Sequence, residues 1–238
     1  MNTLQTKRLT LMPQCAMHAE AIFAVLADPA IYAHENEPPA SVEWLRARFA
    51  RLESRQSPDG RQRWLNWVLS ETANDSLIGF VQATVLADGA AYVAYVLGSP
   101  HWGRGLASEA TAAVLDELAA THHVREFLAV LKRVNLRSLR LLERHGFAPA
   151  TPAALAAHPV ESDELLMVLT HAERTIWPTS AAVSVSPSGP AHSIAVGVTN
   201  IVAGRSTAQV ADARGEFAAV CAEVERVGRI WGGHRPVA

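Results

Sequence analysis

Apolar and polar residues alternate with a period of two over residues 4–12, predicting a strand, then switch to a helical period over 17–27 and 41–54. Ser41 stands where a helix N-cap belongs, with Trp44, Leu45 and Phe49 on one face of the following turns. Three strands are predicted at 64–70, 77–86 and 91–97, separated by turn signals at Asn74-Asp75 and Asp88-Gly89, the second a hairpin signal. A helix over 105–121 carries Leu106, Ala110, Val114 and Leu118 as one apolar stripe. A strand at 127–131, a helix at 136–145 and a last strand at 165–169 follow. This order describes an α/β class: a mixed, mostly antiparallel sheet flanked by helices on both faces.

Beyond about residue 175 the pattern changes. A stretch of Ser, Ala and Pro without charge predicts a linker over 176–192, between a domain at 1–175 and an extension at 193–238. The extension reads as a strand at 193–202 and an amphipathic helix at 207–230, with Ala213, Phe217, Val220, Val224, Val227 and Trp231 at alternating spacings of four and three. Lys+Arg number 21 and Asp+Glu 23, a net charge of −2, which removes the electrostatic footprint of a dedicated nucleic-acid or membrane-surface binder. Cys15 and Cys221 are too far apart in sequence to make a disulfide framework or a metal knuckle. The opening residues lack a signal-peptide core, and no run of about 18 apolar residues occurs. A cytoplasmic protein that needs no metal to fold is the expectation.

The chemistry concentrates where the strand at 91–97 runs through Gly98 into a turn carrying Gly103 and Gly105, and a helix begins at once. Glycines there allow a ligand close to the backbone, and first-turn N–H groups lack intrahelical partners, which suits a phosphate or diphosphate. Arg104 could add a charged hydrogen bond to the same anion; a plain tight turn would use the glycines for geometry alone. A GxxxxGK phosphate loop is absent, and a dinucleotide fingerprint would lose its third glycine at Ser108.

A third pattern fits. Trp102-Gly103-Arg104-Gly105-Leu106-Ala107, followed by Ser108-Glu109-Ala110, resembles the acetyl-coenzyme A loop of the GNAT superfamily, Gln/Arg-x-x-Gly-x-Gly/Ala, with Trp102 departing at the first position. The string is similar to the RimJ/RimL-type branch, the ribosomal-protein N-acetyltransferases. Thr6-Lys7-Arg8-Leu9-Thr10-Leu11 resembles that branch's opening strand. Val134-Asn135-Leu136-Arg137-Ser138, ending in Glu143-Arg144-His145-Gly146-Phe147, resembles its last helix. The likeness covers about residues 4–172 in element order. It implies a GNAT fold and an N-acetyltransferase that moves acetyl from acetyl-CoA, its co-substrate, to a primary amine, by direct transfer in a ternary complex. The amine would be a protein N-terminal α-amine or a small-molecule amine. The partners expected are acetyl-CoA and that acceptor, with room for a homodimer and no nucleic acid, membrane or metal.

Carried over residue by residue, the resemblance puts the pantetheine arm along Tyr95, Val96 and Leu97 and the diphosphate on the backbone from Gly103 through Arg104, Gly105 and Leu106 to Ala107. A backbone N–H near Val96 or Leu97, taken as Leu97, would stabilise the oxyanion of the tetrahedral intermediate. Asn135 would touch the cofactor, although helix capping alone explains it. In much of the superfamily a Tyr seven residues after the Asn protonates the departing thiolate; here that position is Leu142, and the branch's usage points to Ser138 instead. The general base is open among Glu35, Glu37, Asp163 and Glu164, with Glu35 taken first because the family places the 31–39 connection over the acceptor. Glu109 reads as structural, and His122 and His123 as cations suited to a helix C-terminus. Two other classes stay open: a non-catalytic acyl-CoA-binding sensor or regulatory module, and a nucleotide-binding oxidoreductase.

Overall fold

The computed structural model describes residues 1–34 and 37–170. The linker and extension of the sequence reading, and Glu35, lie outside the described residues. The described chain divides into two compact units: Met1–Ala150 with the stretch from Glu161, and Thr151–Val160. The second holds one short helix, whose first turn is capped by the Thr151 hydroxyl, which accepts from the Ala154 N–H at 3.2 Å.

The first unit is built on an eight-stranded sheet: β1 (Leu4–Gln5), β2 (Leu9–Pro13), β3 (Arg63–Glu71), β4 (Leu77–Val85), β5 (Ala90–Leu97), β6 (Glu126–Lys132), β7 (Ala148–Pro149) and β8 (Glu164–Thr170). They lie in the order β1-β2-β3-β4-β5-β6-β8-β7, antiparallel throughout except for the β5/β6 pair. The helices are α1 (Ala19–Leu26), α2 (Val42–Arg51), α3 (Leu106–His122) and α4 (Leu136–Arg144), with α5 (Pro152–Ala157) in the second unit. No helix among the described residues is long and apolar enough to cross a membrane.

The period-two pattern divides the core. Leu65, Trp67 and Leu69 of β3 point to one face, where they pack with the Leu106, Ala110, Val114 and Leu118 stripe of α3 and Leu142 of α4. Val68, between them, points to the other face and joins Ile22 of α1 and Leu45 and Phe49 of α2. Ser41 caps α2 as its sequence predicts, its hydroxyl accepting from the Trp44 N–H at 3.1 Å. Trp44 itself turns outward, its ring 5.4 Å beneath the Arg48 guanidinium, so only Leu45 and Phe49 of that predicted face are buried.

The predicted first strand is two strands. Between them the Arg8 N–H donates to Glu109 Oε1 at 2.8 Å and the Thr6 hydroxyl donates to the same oxygen at 2.7 Å. That carboxylate, on the first turn of α3, draws the chain out of regular pairing.

Candidate active site

β5 and β6 are paired only at Ala90, Ala91 and Tyr92 with Glu126, Phe127 and Leu128, yet both strands run on. From Val93 and Ala129 onward they form a wedge. The hydrogen bonds Leu86 N–H to Ala90 O and Gly98 N–H to Ile78 O bracket the β4/β5 register. By the alternation of an antiparallel ladder, Tyr92, Ala94 and Val96 therefore spend their backbone groups on β4, while those of Val93, Tyr95 and Leu97 point to the β6 side, where Tyr95 and Leu97 lie past the last β5/β6 pair and face the wedge. Of the three strand residues expected at the cofactor, Tyr95 and Leu97 offer backbone groups there. Val96 does not: its backbone belongs to the ladder, and its side chain packs on the α1/α2 face.

Beyond the wedge, Gly98 leads into a turn pinned by Asp28, whose Oδ2 accepts from the Ser99 N–H at 2.7 Å. Hydrogen bonds from Ser99, its side chain first and then its backbone N–H, hold the Asp28 carboxyl below the usual range. Gly103 and Gly105 take φ values of +72° and +76°, the left-handed region that glycine occupies without strain. The first bond within α3 runs from the Glu109 N–H to the Gly105 carbonyl at 3.1 Å, and Gly105 has no side chain to cap the amides between. Those of Leu106, Ala107 and Ser108 therefore form an anion cradle at the positive end of the helix dipole. A Cβ built on Gly103 would meet nothing within 4 Å, so the approach is open.

Arg104 does not stand over this cradle. Its guanidinium pairs with the buried carboxylate of Glu71 and lies 3.2 Å from His101 Nδ1, while its carbonyl accepts from Arg8 Nη1 at 2.7 Å. Arg8 Nε in turn pairs with Glu109 Oε2 at 2.7 Å. Burial alone would raise the Glu109 carboxyl, but the hydrogen bonds from Thr6 and Arg8 outweigh it and hold it below its ordinary value. This confirms Glu109 as structural, a brace between the opening strands and the turn.

The other wall of the wedge is α4. Asn135 caps it, its side-chain oxygen accepting from the Ser138 N–H at 3.2 Å, which places half-buried Ser138 in the first turn. Two contacts cross from β5 and its turn to this helix. Tyr95 Oη stands 3.5 Å from the Ser138 carbonyl. The Arg137 guanidinium lies 4.0 Å over the Trp102 ring, whose indole N–H donates to the Leu97 carbonyl at 2.7 Å. Trp102, at the position where the family motif carries Gln or Arg, thus ties the end of β5 to α4. Arg137 and the Tyr95 phenol escaped the sequence reading, since each partner lies over thirty residues away; adjacency of Arg137 to Ser138 was the one available signal.

Three of the candidate bases, Glu37, Asp163 and Glu164, are among the described residues. Glu37 is exposed, and Asp163 and Glu164 both pair with Lys132 at 3.0 Å. His145 closes α4 and lies 2.9 Å from the Ser108 hydroxyl. His122 is not the expected cation: burial first, then the Arg63 charge, push it down to about 4, so it is neutral near pH 7. Among the described residues no group of three His, Cys, Asp or Glu could hold a metal ion.

The sequence profile of the acetyltransferase (GNAT) domain matches residues 8–148, more than half of the 238. An uncharacterized N-acetyltransferase p20 of Bacillus licheniformis is 27% identical over 149 residues, 62% of this chain and 83% of that protein. The fold is similar to that of a ribosomal-protein-S5-alanine acetyltransferase from Vibrio fischeri, with a TM-score of 0.60 at 16% identity over 74% of this chain and 99% of that one. It is also similar to RimL, a ribosomal L7/L12 α-N-protein acetyltransferase solved with coenzyme A, with a TM-score of 0.57 at 16% identity over 69% and 95% of the two chains. With its split sheet, glycine turn and matching profile, the chain belongs to the GNAT family and is an acetyl-CoA-dependent acetyltransferase.

Proposed function

We propose that the chain acetylates a primary amine, a protein N-terminal α-amine or a small-molecule amine, by direct transfer while donor and acceptor are bound together. The observation that carries this reading is the wedge: backbone groups of Tyr95 and Leu97 left without a strand partner. An extended amide-bearing arm is the chemistry that satisfies such groups, so the residues fit acetyl-CoA. The amides of Leu106, Ala107 and Ser108 then hold its diphosphate, with Gly103 and Gly105 giving access. Acetyl-CoA supplies a thioester carbonyl open to attack.

On the protein's side, the Leu97 N–H donates to the carbonyl oxygen as charge builds there, an effect that typically contributes ~3–4 kcal/mol. Ser138, oriented by Asn135, places a hydroxyl beside the sulfur. The connection between α1 and α2, with Glu35 and Glu37, is the segment we assign to the acceptor and its base.

The reading is tested by thiol release from acetyl-CoA across a panel of peptides and small amines. Turnover is expected with at least one class, and Ser138→Ala is expected to lose about 10²-fold. Tight CoA binding with no thiol released by any amine would instead mark a binding module.

A further inference from the structure

Ser138 is followed on the same side of α4, one turn on, by Leu142, which is buried in the apolar core. Ser138 carries the one hydroxyl of that helix, where the family pattern supplies a phenol one turn later. From the opposite wall β5 brings a second hydroxyl, that of Tyr95. Its ring packs against the same core as Leu142, and its Oη reaches the first turn of α4.

The bond it makes there is poor. An O–H···O hydrogen bond is ordinarily about 2.7–2.8 Å long, and Tyr95 Oη lies 3.5 Å from the Ser138 carbonyl. Among the described residues this is its one hydrogen bond, so a half-buried phenol keeps its proton available at the wall of the wedge. Burial pushes this phenol up to about 12, with Ser138 and Arg144 pulling the other way. It therefore carries its proton, and is a donor, before the reaction begins.

We propose that Tyr95 Oη is the proton donor to the leaving sulfur, acting from β5 in place of the phenol that Leu142 does not supply on α4. This rests on the reading above, in which the wedge holds the thioester arm with its sulfur beside Ser138. The bond between carbonyl carbon and sulfur breaks, its electron pair stays on sulfur, and Tyr95 Oη gives its proton to that sulfur. Tyr95 Oη then regains the proton that the acceptor nitrogen loses on becoming an amide. A neutral amine and a thioester thus yield an amide and a thiol, with Tyr95 unchanged. Ser138 is the second donor to the same sulfur, and the long Tyr95–Ser138 contact is given up when the sulfur enters between them.

Tyr95→Phe keeps the ring and its packing, so the variant separates proton donation from folding. Three readings are made on the full chain: CoA affinity by calorimetry, the titration midpoint of the bound CoA thiol by ultraviolet absorbance of its thiolate, and kcat against pH. CoA affinity is expected to stay as in wild type. The thiol midpoint is expected to rise, because a donor to the thiolate is gone, and kcat to fall about 10²-fold. A Tyr95→Phe protein whose thiol midpoint and kcat both match wild type overturns the proposal. The thiol titration needs no acceptor, so it decides the matter even if the amine is unidentified. Failure of wild type to bind CoA would bring down the wedge reading, and this proposal with it. A silent Ser138→Ala beside a crippled Tyr95→Phe would leave Tyr95 as the donor and remove Ser138.

Discussion

His122, the last residue of α3, buries both ring nitrogens without a hydrogen-bond partner. Glu117 Oε1 stands 4.0 Å from Nε2, and Arg63 and His123 add positive charge nearby. The folded state therefore resists protonating this ring until about pH 4, whereas an unfolded chain takes the proton near pH 6.5. The unfolded state binds more protons between those values, so stability is present above about pH 6.5 and is lost as pH falls towards 4. His122→Leu is expected to flatten that part of a plot of urea midpoint against pH; an unchanged slope would mean the ring titrates normally. At Glu109, one carboxylate accepts from Thr6, the Arg8 backbone and the Arg8 guanidinium. Glu109→Ala strands all three donors and is expected to cost about 1–3 kcal/mol in chemical denaturation. Residues explained by local chemistry were legible in sequence: Asn135 caps its own helix, and Gly105 has to turn left-handed. Arg104 was not, because its partner Glu71 is 33 residues away and nothing in a glycine turn announces it.

At the scale of elements, period was a reliable guide wherever one face is buried. The α3 stripe and the strands β3 to β5 appear within one or two residues of their predicted bounds. The short pieces were missed: β7 has two residues, and α5 has six with little apolar contrast. The wedge was invisible for a different reason. Val93 to Leu97 alternate like any half-buried strand, and only the course of β6 reveals that they lose a neighbour. What spans the opening is the Arg137–Trp102 stack. With Arg104 committed to Glu71 and Arg8 to Glu109, the exposed Arg137 guanidinium on the Trp102 ring is the one we assign to the cofactor. Arg137→Ala is expected to weaken CoA binding about tenfold, the scale of one charge-assisted hydrogen bond, and to reduce its salt dependence. Arg104→Ala is expected to lower the melting temperature while changing CoA affinity less. Calorimetry on the two variants separates them, and the reverse order would return the anion to Arg104.

The whole molecule carries a net charge of −2 yet belongs to a family that binds a polyanionic donor. In the proposed reading local geometry removes the conflict: backbone amides at a helix start and the Arg137 guanidinium act within a few ångströms, where net charge matters little. That arrangement lies wholly between β5 and α4, and the GNAT profile ends at residue 148. The V. fischeri neighbour is matched over 99% of its own length by 74% of this chain. Nearly the whole of that neighbour thus has its counterpart in about three-quarters of this chain. A chain lacking residues 178–238 is accordingly expected to bind CoA with the affinity of the full chain, since every group assigned to the cofactor is retained. Thiol release adds the second measurement. Full CoA affinity with lost turnover would place the contribution of residues 178–238 on the acceptor side of the reaction. Loss of CoA affinity itself would show that the wedge and cradle are insufficient.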